Sequence, residues 1–355
     1  MKVLGIETSC DETAISLIEA KGNIFSLKLK TISNLVSSQI KIHQKYGGIV
    51  PSLAKREHSK NLPILYQKIF SQSSFSLSTS HLLPQIIAVT VGPGLSPCLW
   101  EGINFAKKIS KNLKIPVVGV NHLEGHFFSV FLKKPLPKFP LVILIISGGH
   151  TLLVLSKKPF DYKILGETKD DAIGEAFDKV GRMLGFSYPA GNQIEKLAKK
   201  GKANIDFPSP MINQKNYDFS YAGLKTAILY YLKKHFKTKK TQNFFLKESF
   251  IIPEEKKANI CASFQKSAFE VLIQKTLRAA KEFKAKSVVV CGGVAANDFL
   301  KKEFKKRQKK LLLKTKIFFP KKEFSTDNAA MIALSGYFHR NETKKRLIAK
   351  PNLKI

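Results

Sequence analysis

Arginine is scarce in this 355-residue chain: only six of its 60 basic residues are Arg, against 26 acidic residues and a net charge of +34. Clustered cations gain affinity for nucleic acid by releasing phosphate counterions. Phosphate and base recognition nevertheless favours the arginine fork. The lysine excess therefore divides between contact with RNA and compositional drift. Cysteine is equally thin. Cys10, Cys98, Cys261 and Cys291 are far apart and form no CxxC pair, which argues against a disulfide framework or a cysteine zinc site and fits a reducing cytoplasm. No run approaches the roughly 18 apolar residues of a membrane span. The opening "MKVLGIETSC" has one lysine and a short apolar run broken by Glu7, which makes a poor signal peptide and a good first strand.

A hydrophobic fraction of 44% is ample for packed cores and excludes wholesale disorder. The length suits about two domains. Apolar and alternating runs predict strands at "KVLGIET", "AISLIEA" and "IFSLKLKTIS", a meander of three. A helix from about Leu53 to Ser71 follows, then a buried strand "IIAVTVGPGL", a helix near Gly102–Lys111, and the strand "IPVVGV". That strand leads into a helical segment holding His122 and His126. "KKPLPKFP" (133–140), with three prolines, reads as a linker. The plan then recurs: "LVILIISGG", "TLLVLSK" and "YKILGET" form a second trio, followed by a helix from Asp171 to Leu184. Beyond lie a long helix (Glu254–Phe283), the strand "SVVVCGG", a helix (Ala296–Lys310), the strand "KIFFP" and a last helix from Asp327. The expectation is a duplicated α/β core: an N-terminal half 1–132, a linker 133–140, a C-terminal half 141–340 with a surface insertion at 233–255, and a basic tail 341–355. A cleft between two such halves is a natural ligand site.

Three groups of residues carry chemistry. "ISGGHT" (146–151) and "VCGGVAAN" (290–297) place paired glycines at the ends of apolar strands, where backbone N–H groups can approach an anion. The second also opens into a helix, whose N-terminus attracts phosphate. Neither spells a P-loop or a dinucleotide fingerprint. "ETSCDET" puts Glu7, Asp11 and Glu12 in a turn between strands. "DDAIGEAFDKVG" puts Asp171, Glu175 and Asp178 on one helical face, and charge compensation at a helix start accounts for Asp170 and Asp171. His122 and His126 lie roughly 40° apart on a helix, so both can bind one metal. Taken alone, such a pair is more often structural. Asp327 offers a third ligand, or else an N-cap shared with Ser325 or Thr326.

Together "GIETSCDETA", "GGIVPSLAKREH", "GPGL", "NHLEGH", "ISGGHT", "DDAIGEAFDKVGRMLG", "YPAGN", "FSYAGLKTA", "CGGVAAN" and "STDNAAMIA" resemble the TsaD family in the same order, from Met1 to about Tyr337. These are tRNA N6-adenosine threonylcarbamoyltransferases with an actin-like ATPase (sugar kinase, Hsp70) fold of two lobes and a central cleft. The resemblance implies one divalent ion per subunit, Fe2+ or Zn2+, on His122, His126 and Asp327. It implies that Ile145, Ile146, Ser147, Gly148, Gly149, Asp178, Gly191 and Asn297 bind threonylcarbamoyl-adenylate or a nucleotide, ATP included. Glu195 falls where many relatives contact a ribose, and Asp11 and Glu12 match a loop important for transfer. The implied partners are tRNA, a TsaB-like paralogue and a TsaE-like ATPase, in the cytoplasm. The sequence departs from the family at Pro97 and Cys98 in "GPGLSPCLW", at Ser52, and at Asn121.

Other readings compete. "HLEGH" superficially matches H-E-x-x-H of metallopeptidases, but Glu124 stands two residues after His122, rotated about 200° from it. Two His and a carboxylate also describe an iron oxygenase triad, against which the glycine turns argue. A non-transferring ATPase or kinase and an RNA-binding scaffold of a modification complex remain as alternatives.

Overall fold

The computed structural model describes residues 1–71, 83–240, 248–312, 314–343 and 345–355. In chain order the elements are β1 (Lys2–Glu7), β2 (Glu12–Lys21), β3 (Lys28–Ser38), α1 (Ile40–His43), α2 (Pro51–Ser71), β4 (Ile86–Gly92), α3 (Ser96–Leu113), β5 (Val117–Asn121) and α4 (His122–Phe128). There follow β6 (Leu141–Ile146), β7 (Thr151–Ser156), β8 (Lys163–Glu167), α5 (Ile173–Met183), α6 (Gly191–Ala198) and α7 (Ala222–His235). The chain continues through β9 (Thr238–Lys240), β10 (Glu248–Phe250), α8 (Glu254–Glu282), β11 (Ser287–Cys291), α9 (Asp298–Lys310), β12 (Lys316–Phe318) and α10 (Ala329–Phe338).

Two five-stranded sheets repeat one plan. The first runs β3-β2-β1-β4-β5 and the second β8-β7-β6-β11-β12. In each, the first strand is central, its two successors pair antiparallel on one side, and two later strands pair parallel on the other. This is the duplicated α/β core that the two strand trios predict. Strands β4, β6 and β11 are buried along their whole length. That is why they read as continuous apolar runs rather than alternating ones. The 233–255 stretch holds the end of α7 and a short antiparallel ribbon, β9 with β10, in which Thr238 pairs with Phe250. Residues 241–247 of that stretch lie outside the described residues.

The chain forms two compact units, 1–43 with 49–136 and 320–355, and 44–48 with 137–319. The last helix and the basic tail thus differ from expectation, because they build onto the first sheet. Helix α10 is small and apolar on every side, with Ala329–Tyr337 all buried. It lies so close to β1 that a Cβ on Gly5 would stand 2.1 Å from the Ala329 carbonyl oxygen. The tail is equally engaged. Lys350 N donates to Val91 O (2.7 Å), Gly94 N to Pro351 O (3.1 Å), and Asn121 Nδ2 to Lys354 O (2.9 Å). Leu347, Ala349 and Leu353, spaced among the lysines, pack on the first core. Among the described residues no helix is long and apolar enough to cross a membrane.

Candidate metal centre and nucleotide-binding turns

Strand β5 ends at Asn121, whose side chain accepts from Leu123 N (2.8 Å) and Glu124 N (3.4 Å) and so starts α4. The departure at 121 is therefore a helix cap. Helix α4 carries His122 and His126 into the core, 5% and 0% exposed. Asp327 arrives from the other end of the first unit. Asn328 rather than Asp327 caps α10, accepting from Met331 N at 3.1 Å, which leaves the Asp327 carboxylate to face the histidines. Its Oδ1 stands 3.2 Å from His126 Nε2 and 3.6 Å from His122 Nε2. One ligand atom from each of the three lies within 4.8 Å of the other two.

The arrangement fits a metal ion on two grounds. Neither ring nitrogen of buried His126 makes a hydrogen bond, although its Nε2 stands only 3.2 Å from Asp327 Oδ1. An imidazole so placed bears a desolvation cost that a coordinated cation relieves. His122 is oriented by Glu7, a residue with no solvent exposure. His122 Nδ1 donates to Glu7 Oε2 (3.0 Å), which also accepts from Thr90 Oγ1 (2.6 Å), while Ser9 N donates to Oε1 (2.5 Å). With Nδ1 committed to Glu7, Nε2 is the nitrogen that His122 turns toward Asp327, and it would offer its lone pair to an ion that displaces the Nε2 proton. Burial alone would push the Glu7 carboxyl up, but the His122 charge and hydrogen bond outweigh it and hold it below the usual range. Burial likewise opposes charge on His122, yet Glu7 and Asp327 push it up to about 9.

Glu124 points elsewhere. Its Oε2 accepts from Ser335 Oγ (3.1 Å) on α10 and pairs with His339 Nε2 (2.7 Å) just beyond. It therefore ties the helix bearing the histidines to the helix that follows Asp327, and it has no place as a peptidase base.

Asp11 sits in the β1–β2 turn and Glu12 opens β2. Burial, then the Asp11 charge, then Asp327 push Glu12 well above the usual carboxylate range. Burial also raises Asp11, with Asp327 adding to it. Both acids belong to the same charged cluster as the metal ligands.

In the second unit, the Ile145 and Ile146 side chains are core, so only their backbone is available to a ligand. Ser147, Gly148 and Gly149 form the turn from β6 to β7, and a Cβ on either glycine would meet nothing within 4 Å. Gly191, which opens α6, and Gly293 are equally open. Gly292 is different: its φ is +93°, and a Cβ there would stand 2.3 Å from Ile146 O, so the ends of β6 and β11 meet only because it is glycine. Asp178 Oδ1 accepts from Ala190 N (2.8 Å) and holds the turn before Gly191. Asn297 caps α9 through Leu300 N (3.1 Å) and donates to Gln265 Oε1 (2.8 Å), while Glu195 Oε1 accepts from Asp298 N (2.9 Å).

The acidic face expected of Asp171, Glu175 and Asp178 does not form. Asp171 precedes α5 and pairs with Lys179 and Lys225, and Glu175 accepts from Ala172 N (3.0 Å) at the helix start. Asp170 accepts from Ser220 Oγ and from Tyr221 N (2.8 Å). Pro97 stands in the first turn of α3, where a missing N–H costs nothing. Sequence reasoning placed Glu7 in an acidic turn without its role. The available signal was a carboxylate closing an apolar run, Val3 to Ile6, in the first strand.

Comparison with known proteins identifies the family. A family profile described as TsaD, tRNA N6-adenosine threonylcarbamoyltransferase, matches residues 30–334. Proteins of that name from Thermosipho africanus and Thermotoga neapolitana are 45% and 40% identical, each covering 100% of both chains. One from Dictyoglomus turgidum is 44% identical over 95% of this chain and 93% of its own. Among solved structures, HypF from T. kodakarensis superposes with a TM-score of 0.59 at 15% identity, over 96% of this chain and 48% of its own. A phosphate- and nucleotide-bound full-length HypF gives 0.54 at 13%, over 98% and 56%. This chain thus spans about half the length of those two proteins, and they speak for the actin-like fold alone. The full-length identities decide the family: this chain belongs to TsaD, the tRNA N6-adenosine threonylcarbamoyltransferases.

Proposed function

We propose that this protein transfers the threonylcarbamoyl group of threonylcarbamoyl-adenylate to N6 of the adenosine beside the anticodon, in tRNAs reading codons that begin with A. The observation that carries the reading is the group formed by buried His122 and His126 with half-buried Asp327, in which neither nitrogen of the His126 ring makes a hydrogen bond. Fe2+ or Zn2+ is the ion proposed for it, since two imidazoles and a carboxylate suit either.

The exocyclic amine is a weak nucleophile, so its orientation and the removal of its proton matter most. The N6 nitrogen attacks the carbamoyl carbon, the bond from that carbon to the phosphate oxygen breaks, and AMP departs. Asp11 is the acceptor proposed for the N6 proton, with Glu12 beside it to orient the amine. An ion held by His122, His126 and Asp327 would supply positive charge to the oxygen on which negative charge develops. Backbone N–H groups of the Ser147–Gly149 and Gly292–Gly293 turns are proposed to hold the adenylate phosphate, and the same turns would accept ATP. The proposed setting is cytoplasmic, with a TsaB-like paralogue and a TsaE-like ATPase as partners.

Purified protein, threonylcarbamoyl-adenylate, tRNA and those partners test the reading, with nucleoside mass spectrometry of the tRNA as the measure. The double variant His122→Ala/His126→Ala should abolish transfer. Modification at the wild-type rate would overturn the metal assignment. A protein that binds tRNA yet never transfers, with all partners present, would be a scaffold instead.

A further inference from the structure

A chain of buried polar groups behind the Asp11 turn has no part in the site described so far. His58 and Ala54 lie one turn apart on α2, Gln39 and His43 flank α1, and Thr13 lies on β2. His43, His58 and Thr13 are 0% exposed and Gln39 is 1%. Polar side chains buried this deeply need partners, and theirs run in one direction.

The Val50 N–H can only donate, so His43 Nδ1, 3.2 Å away, accepts. The proton of neutral His43 is then on Nε2, which donates to Gln39 Oε1 (3.1 Å). That orients the Gln39 amide with its NH2 toward Ala54 O and His58 Nδ1, each 3.4 Å away. His58 Nδ1 also accepts from Thr13 Oγ1 (2.8 Å), and His58 Nε2 donates to the Cys10 carbonyl (3.0 Å). A carbonyl can only accept, so the His58 tautomer is determined from both ends. Burial keeps both rings neutral, in keeping with this pattern. The Gln39 backbone N–H donates to Asp11 O at 2.9 Å. The carbonyls on either side of the Asp11 amide plane and Cα are thus both held, one by His58 and one by Gln39.

We propose that His58 is a positioning residue for the transfer reaction, holding the Cys10–Asp11 backbone so that the Asp11 carboxylate meets its target. The inference rests on the proposed role of Asp11. A core that needed only filling would be served by apolar groups at lower desolvation cost, whereas this chain sets four buried polar side chains behind two carbonyls of one turn. His58 touches no reacting atom and acts through Asp11 alone.

The test uses the full-length protein with its partners, tRNA and threonylcarbamoyl-adenylate. Displacing a reacting group by about an ångström can lower a rate on the order of a hundredfold. His58→Ala should therefore lower kcat between about tenfold and a hundredfold, with KM for both substrates within about twofold. His58→Gln keeps a donor for Cys10 O and an acceptor for Thr13 Oγ1, and should recover most of the loss. Thr13→Val leaves the ring and its Cys10 bond in place but removes the shorter of the bonds that orient it, and should fall between the two, which keeps the proposal open to refutation if His58→Ala misfolds. In the background of Asp11→Asn, His58→Ala should cost nothing further. A full and independent His58 effect in that background, wild-type kcat in a folded His58→Ala, or, where His58→Ala misfolds, wild-type kcat in Thr13→Val, overturns the positioning role. Asp11→Asn with wild-type kcat would instead overturn the assignment of Asp11.

Discussion

Replacing Glu7 by Gln tests whether the carboxylate behind His122 builds the metal centre. Glu7 accepts three hydrogen bonds, from Ser9 N, Thr90 Oγ1 and His122 Nδ1. Glutamine keeps the shape but offers one acceptor oxygen, sets an NH2 against a donor, and removes the negative charge facing the ring. The His122 bond falls from charge-assisted to neutral, roughly half its strength, and the proton is no longer confined to Nδ1. Losing such a partner typically lowers metal affinity between about 10- and 100-fold, or about 1.4–2.8 kcal/mol. Apo protein titrated with Zn2+ against a chromophoric chelator measures this directly, without any assay of transfer. Asp327→Asn, which weakens a ligand itself, should lose more than Glu7→Gln. A Zn2+ dissociation constant for Glu7→Gln within twofold of wild type would refute the argument that Glu7 organises the site.

Further outcomes follow from the same unit. His339 is pushed up to about 9: burial opposes its charge, but the hydrogen bond and charge of Glu124, then of Glu342, outweigh it. Since the unfolded ring titrates near 6.5, its stabilising effect is complete below pH 6.5 and is lost as pH rises through 9. Denaturant unfolding should show wild type more stable than His339→Gln by up to about 3 kcal/mol at pH 6, with the gap closing by pH 9.5. A gap that does not change with pH would contradict the Glu124–His339 pairing. Deleting residues 347–355 should lower the melting temperature by about 5 °C or more, because two leucines leave the first core. An unchanged melting temperature would mean the tail is not docked in solution.

The fold class was legible in the residues because strand periodicity and paired glycines are local properties. Two trios of apolar runs predicted two sheets, and both formed with one topology. The metal group was half legible. A spacing of four puts His122 and His126 on one helical face, and that follows from helix geometry alone. Asp327 lies two hundred residues away, and only the docking of α10 against β1, permitted by Gly5, sets it beside the histidines. Glu124 was misleading for the same reason: its spacing resembles a peptidase motif, yet its partner His339 comes from a distant helix. The face expected of Asp171, Glu175 and Asp178 failed because lysines remote in sequence claimed one acid and a helix start another.

The tail shows the division most plainly. By composition it is a lysine-rich end, but Leu347, Ala349 and Leu353 find an apolar surface and three backbone bonds that only the folded β4–α3 turn and Asn121 provide. Local pattern determined the strands, the helices, the glycine turns and the histidine pair. Burial decided the rest, because the partner of a buried charge or carbonyl is chosen by what the tertiary fold brings within about 3 Å of it.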